Sequence, residues 1–130
     1  MKLCISGSRD YPDEQQVVAF VRALPADTML LVGGARGVDT IAERTGRQRG
    51  LPVTVISANW SRYGTRAGIL RNADMLALVD GVVAFHFGAS PGTRDMITRA
   101  RRAGKLIAIF HPDTLLTDVE LVARTGLATP

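Results

Sequence analysis

The sequence predicts an α/β fold. The expected form is a three-layer sandwich: a five-stranded parallel sheet in the order 3-2-1-4-5, with helices on both faces. Three observations predict it. Short apolar runs alternate with amphipathic stretches of about 10–15 residues, the signature of βαβ units joined by right-handed crossovers. Three of the apolar runs lead directly into glycine-rich loops. The chain has 130 residues, 46% of them hydrophobic, enough for one core and one domain spanning 1–130.

The elements follow in order. Residues 2–6 read as the first strand and lead into Gly7-Ser8-Arg9. Asp13 to Leu24 reads as a helix, because Val17, Val18, Phe20, Val21 and Leu24 recur at helical spacing; Pro25 ends it. Residues 28–32 form the second strand and run into Gly33-Gly34-Ala35-Arg36-Gly37-Val38-Asp39. Val38 to Arg49 is the second helix, with Val38, Ile41, Ala42 and Thr45 inward and Gly50 as its C′ residue. Residues 52–56 form the third strand. Asn59 to Thr65 is expected as a polar-aromatic loop carrying Trp60 and Tyr63, followed by a helix from Ala67 to Leu78.

Residues 81–86 form the fourth strand, ending at His86 before Gly88-Ala89-Ser90-Pro91-Gly92-Thr93. Thr93 to Ala103 is a helix closed by Gly104, and Lys105 to Phe110 is the fifth strand. Residues 114–126 can form a terminal helix through Leu115, Leu116, Val119, Leu121 and Val122, whose buried face the sequence leaves open. The continuous apolar character of strands two, four and five points to a sheet covered on both faces.

In a parallel sheet the three glycine-rich loops leave from the same, carboxyl edge. They converge where the strand order reverses, which is where open α/β sheets bind ligands. Glycine lets backbone N–H groups approach a phosphate closely, and a helix N-terminus adds a favourable dipole. The expected ligand is a nucleotide or a nucleotide-derived phosphosugar. The residues assigned to it are Gly7, Ser8, Arg9, Gly33, Gly34, Arg36, Gly37, Asp39, Trp60, Arg71, Asn72, Gly88, Gly92 and Thr93. Each has a plainer role beside this one. Asp39 either complements the helix dipole or meets a ligand hydroxyl. Thr93 either donates to phosphate or caps its helix. Trp60 either stacks on a base or packs at a subunit interface.

The net charge is +4 and the pI about 10.0; all but Lys2 and Lys105 of the 16 basic residues are arginine. Arginine suits bidentate contact with phosphate, although a GC-rich genome gives the same enrichment. Arg99, Arg101 and Arg102 cluster, but at the far end of their helix, where cations are favoured anyway. Nucleic acid is therefore not the expected partner. Cys4 is the single cysteine, so no intramolecular disulfide forms, and its apolar strand marks it as a small buried hydrophobe. No apolar run approaches a membrane span, and a cytoplasmic protein with no membrane partner is expected. His86 and His111 are isolated, so no metal site and no cofactor is indicated.

The run Gly7-Ser8-Arg9, then Gly33 to Asp39, Trp60, Ala67-Gly68, Arg71-Asn72, Met75, Ala84-Phe85, Gly92-Thr93 and Met96 resembles the YspA-type, cpYpsA-related branch of the SLOG superfamily. The resemblance runs from about residue 3 to residue 110. It implies a Rossmann-like fold. It also implies a nucleotide-binding role in a bacterial or phage protein, and allows a homo-oligomer paired through helices. The superfamily includes the Lonely Guy phosphoribohydrolases and the DNA-processing protein of natural transformation. In the hydrolases a P-G-G-x-G-T-x-x-E signature supplies a catalytic Glu. Here Met96 stands at that position, and Met neither takes nor gives a proton. The leading function is a sensor or sequestering module. The alternative is an N-glycosidase acting on nucleoside monophosphates, for which Asp39 or Asp95 would have to serve; a DNA-binding module ranks third.

Overall fold

The computed structural model describes residues 1–126; residues 127–130 of the expected domain lie outside the described part. Five strands, β1 (Lys2–Gly7), β2 (Met29–Val32), β3 (Val53–Val55), β4 (Gly81–Phe85) and β5 (Leu106–Phe110), form one sheet in the order β3-β2-β1-β4-β5. All four pairings are parallel; Cys4 is opposite Leu31 on one side and Val82 on the other.

Alternation along β1 sorts the core into two faces. Leu3 and Ile5 join Val83 and Phe85 beneath α1 (Glu14–Ala23), α2 (Val38–Gln48) and α6 (Leu116–Leu121). Cys4 joins Val82, Met75 and Met96 beneath α4 (Ala67–Leu78) and α5 (Pro91–Arg102). The period of two in the strand thus places helices on both faces. Phe20, Phe85 and Phe110 meet edge-on or tilted, with Phe20 and Phe85 centroids 5.8 Å apart. Cys4 is fully buried, and that burial pushes its thiol far above the usual range.

Four details differ from the sequence reading. Residues 60–63 are a short helix, α3 (Trp60–Tyr63), followed by a 3₁₀ turn over Gly64–Arg66, where a loop was expected. Asn59 is the reason: its side chain accepts from the Arg62 amide at 3.2 Å and starts the turn. Helix α5 begins at Pro91, ahead of Thr93, since proline fits the first turn, so Ser90 takes the N-cap position. Strand β5 is only half-buried up to Phe110, because it is a sheet edge. The terminal segment buries Val119 and Ala123, leaves Leu115, Leu116 and Leu121 exposed, and passes from α6 into a π-helical turn over Val122–Gly126.

Candidate functional site

The chain reverses direction across the sheet between β1 and β4, and a two-lobed crevice opens at their carboxyl ends. The larger lobe, about 630 Å³, is walled by residues 6–10 at the end of β1 and just beyond it, residues 87–93 after β4, Asp39 of α2, and Trp60, Ile69, Arg71 and Asn72. The smaller, about 410 Å³, lies toward β2 and β3 and is walled by residues 33–36, Ser57, Ala58, Arg9, Trp60 and Arg71. Arg9, Ala35, Trp60 and Arg71 belong to both.

The turn after β4 is tied to the turn after β1. Ser8, itself buried, accepts from the Phe87 amide at 2.9 Å and from the Ser90 hydroxyl at 2.6 Å, and its own proton reaches the Phe87 carbonyl at 3.1 Å. The Ser90 hydroxyl also lies 2.7 Å from the Phe87 carbonyl. Turned toward these partners, the Ser90 oxygen makes no cap bond to α5, although it occupies the N-cap position. Helix α1 shows the usual alternative: its N-cap Asp13 accepts from the Gln16 amide at 3.2 Å. Pro91 has no N–H, so the amides of Gly92 and Thr93 are the donors that α5 leaves for the crevice.

The glycines divide by what the fold demands of them. A Cβ on Gly7 would lie 2.5 Å from Val38 side-chain atoms, and one on Gly37 would lie 2.4 Å from the Arg9 carbonyl. Both are packing glycines that let β1 approach the start of α2. A Cβ on Gly33 would meet Arg71 Nη1 at 2.4 Å. Gly34 and Gly88 adopt positive φ, which favours glycine. Gly92 meets nothing within 4 Å and has no positive φ, so neither packing nor backbone conformation requires glycine there.

Helix α4 braces the crevice. Arg71 Nη1 donates to the Gly33 carbonyl and its Nε donates to Asn72 Oδ1 at 3.2 Å. Asn72, buried, donates to the Gly92 carbonyl at 3.0 Å and to Asp95 Oδ2 at 3.1 Å. Asp95 is held further by Arg99, whose Nε lies 2.9 Å from Oδ2, and it does not line either lobe. Asp39 does line the larger lobe. It is 5% exposed, accepts from the Ala35 amide at 3.2 Å, and burial pushes its carboxyl up to about 6, against the lowering effect of that bond and of Arg71. Met96 is fully buried in the core with Cys4, Met75 and Val82, and offers nothing to a ligand.

His86 and His111 end adjacent strands and pack edge-on, with centroids 5.8 Å apart. His111, which had no visible partner in the sequence, has Nδ1 3.1 Å from the His86 carbonyl. Burial, with His111 and Arg94 nearby, lowers the His86 pKa, so its ring is neutral near pH 7. Neither ring lines the crevice.

The fold brings thirteen of the fourteen expected ligand residues to the crevice walls; Gly37 alone sits behind them, against the Arg9 backbone. Phe87, Ile69, Ser57 and Ala58 also line it and were not anticipated. Ser57 and Ala58 follow β3 at the same carboxyl edge, so the rule that found the other loops reaches them too. Phe87 is 45% exposed beside Trp60 at 51%, and a lone Phe after an apolar strand carries no sign that it faces outward. Among the described residues no helix is long and apolar enough to cross a membrane.

Comparison with known proteins agrees with this architecture. The family model described as YspA, cpYpsA-related SLOG family (YAcAr) matches residues 1–63. The Gene 61 protein of Mycobacterium phage D29 is 37% identical over 113 residues, covering 79% of this chain and 90% of the phage protein. Among solved structures, DNA processing protein A from Streptococcus pneumoniae superposes with a TM-score of 0.71 at 18% identity, over 98% of this chain and 55% of that one. This chain thus spans little more than half of it. DNA processing protein A from Helicobacter pylori gives 0.68 at 21% identity, over 97% and 73%.

The H. pylori structure is described for its single-stranded DNA binding mode. That finding overturns the expectation that nucleic acid is not a partner. The expectation rested on the Arg99, Arg101 and Arg102 cluster, which lies at the far end of its helix from the crevice. In the fold, Arg9, Arg36 and Arg71 converge on the crevice walls. With a specific family model over its first half and a phage relative aligned over nearly all of that relative's length, the chain belongs to the YspA, cpYpsA-related SLOG family.

Proposed function

We propose that the crevice binds a nucleotide or a nucleotide derivative, with a phosphate on the N-terminus of α5 and the base against Trp60, and that the protein works as a sensor or sequestering module. The observation that carries this reading is the N-terminus of α5. Its N-cap serine is turned away to Ser8 and Phe87, its second residue is a glycine that the fold does not require, and both face the larger lobe. A helix start left uncapped beside open space suits an anion, through free amides and the helix dipole together. Arg9 and Arg71 add positive charge, and half-exposed Trp60 adds a stacking face.

Binding ranks above hydrolysis in this reading because the acid–base pair is incomplete. Met96 is apolar and buried, and Asp95 is held by Arg99 and Asn72. Asp39 is left as the buried carboxylate in the larger lobe. A second reading, single-stranded DNA, is favoured by the H. pylori neighbour, and exposed Trp60 and Phe87 beside arginines suit stacked bases and a phosphate backbone.

The test is a thermal-shift panel of nucleoside 5′-monophosphates, nucleotide sugars, dinucleotides and short 5′-phosphorylated single strands. A ligand at about 100 times its Kd adds about 2.7 kcal/mol of stability. No shift with any member at millimolar concentration would remove the reading. A shift with the strands alone would replace it by the DNA reading.

A further inference from the structure

The smaller lobe has no task in a site that holds one nucleotide. Its walls carry three guanidinium groups, Arg9, Arg36 and Arg71, and no carboxylate. The larger lobe differs: there Asp10 and Asp39 offset Arg9 and Arg71, and the anion seat is the backbone of Gly92 and Thr93. Gly92 and Thr93 line the larger lobe alone, while Arg36 and Ser57 line the smaller alone. Two seats for negative charge, built differently, therefore lie in adjoining lobes that share Trp60, Arg71, Arg9 and Ala35.

The two cations of the smaller lobe that matter most behave differently. Arg71 is fixed in place by its bonds to the Gly33 carbonyl and Asn72. Arg36 is 75% exposed along its side chain and, among the described residues, is held by a 3.7 Å pairing with Asp10, itself 83% exposed. A pair so open to water is worth little, so Arg36 can turn onto an anion at small cost. Each lobe falls within the range of about 300–1,000 Å³ that ordinarily holds one small ligand.

We propose, on the basis of the nucleotide reading above, that the site takes two phosphate-bearing nucleotide units joined through phosphate. The terminal phosphate sits on the α5 N-terminus, the linking phosphate meets Arg36 and Arg71 in the smaller lobe, and Trp60 lies between the two units. Such a ligand is either a free 5′-phosphorylated dinucleotide or the 5′ end of a single strand; the recognised chemistry is the same.

Isothermal titration compares AMP with 5′-phosphorylated diadenylate (pApA), in the full chain and in Arg36→Ala. The readout is the ratio of the two affinities. Linking a second unit into a matched subsite gives pApA an advantage of about tenfold or more. In Arg36→Ala that ratio falls toward one. A ratio near one in the unmodified protein, or a ratio unchanged in Arg36→Ala, overturns the two-unit inference while AMP binding still supports the nucleotide reading. Failure of both ligands overturns both. A 5′-phosphorylated decanucleotide separates the sources: affinity beyond that of pApA, with a steeper salt dependence, supports a strand end, and affinity equal to pApA supports a free dinucleotide.

Discussion

The Ser90 hydroxyl lies 2.6 Å from the Ser8 hydroxyl, and the bond between them fastens the turn after β4 to the turn after β1 at the cost of the usual cap on α5. Replacing Ser8 with alanine removes one of the two partners that turn the Ser90 hydroxyl from the helix, leaving the Phe87 carbonyl at 2.7 Å, and so favours its swinging back to accept from the amides of Gly92 or Thr93. It also strips the part-buried Phe87 amide of its acceptor. Ser8→Ala should lose about 1–3 kcal/mol of stability and weaken phosphate ligands together. Chemical unfolding and titration with AMP check the two effects; an unchanged affinity would mean that the uncapped helix start is not the phosphate seat.

Gly92 should separate stability from binding. Nothing lies within 4 Å of a Cβ built there, so Gly92→Ala fits the free protein without a clash. Alanine in a helix is better than glycine by about 0.5–1 kcal/mol, and the variant should be more stable by up to that amount. The same methyl group stands between the helix start and a bound phosphate, so affinity should fall by about tenfold or more. Thermal melts with and without nucleotide read both quantities. A variant that is stabilised and binds as before would place the ligand elsewhere.

Gly7 should behave in the opposite sense. Its Cβ would stand 2.5 Å from Val38 Cβ and Cγ2. Gly7→Ala should therefore destabilise by about 1–3 kcal/mol through overpacking. Val38→Gly removes the obstructing Cβ together with both methyls, so Gly7→Ala should cost less in that background than in the unmodified protein, and denaturant midpoints of the two single variants and the double test the coupling.

These two glycines show what the sequence could and could not say. In the sequence both follow apolar runs within glycine-rich stretches, and the pattern alone assigns both to a ligand. The packing of β1 against α2 explains Gly7 without any ligand; Gly92 has no such explanation. The sheet order was legible because short apolar runs separated by helical stretches, joined by right-handed crossovers, leave few parallel arrangements. The roles of Ser8, Arg71 and Asn72 were not legible. Their partners, Ser90 and Phe87, the Gly33 carbonyl, and Gly92 with Asp95, are 20 or more positions away in the chain, and no local pattern encodes them. The Asp95–Arg99 pair is different: the two stand four residues apart on the predicted helix, so that contact was open to a reading of the sequence.

Asp39 gives a pH signature. Burial holds its carboxyl up to about 6, against an ordinary 3.8, so the folded state binds this proton more tightly than the unfolded chain does. The stabilising contribution is full below the unfolded value and is lost as pH rises through about 6. The difference of roughly two units corresponds to about 3 kcal/mol at most. Asp39→Asn should therefore be more stable than the unmodified protein at pH 8 by up to that amount and gain little at pH 3.5. Urea unfolding of both proteins at the two pH values checks it; a difference that does not change with pH would contradict the assignment.

Hydrolysis of nucleoside monophosphates should be slow. General acid–base assistance is worth about 10²–10⁴-fold, and the position that supplies it in the hydrolytic relatives is the buried Met96. Chromatography of AMP incubated with the protein should show no release of adenine at ordinary enzyme rates. Release that vanished in Asp39→Asn would make the protein an N-glycosidase with that carboxylate as its catalytic group.

The most direct test of the central claim is an amide-resolved NMR titration with AMP. Bound phosphate should shift the Gly92 and Thr93 amide resonances downfield, ahead of all other backbone amides, with the Trp60 indole N–H moving alongside them. Saturable binding that leaves Gly92 and Thr93 unmoved while other amides shift would contradict the account.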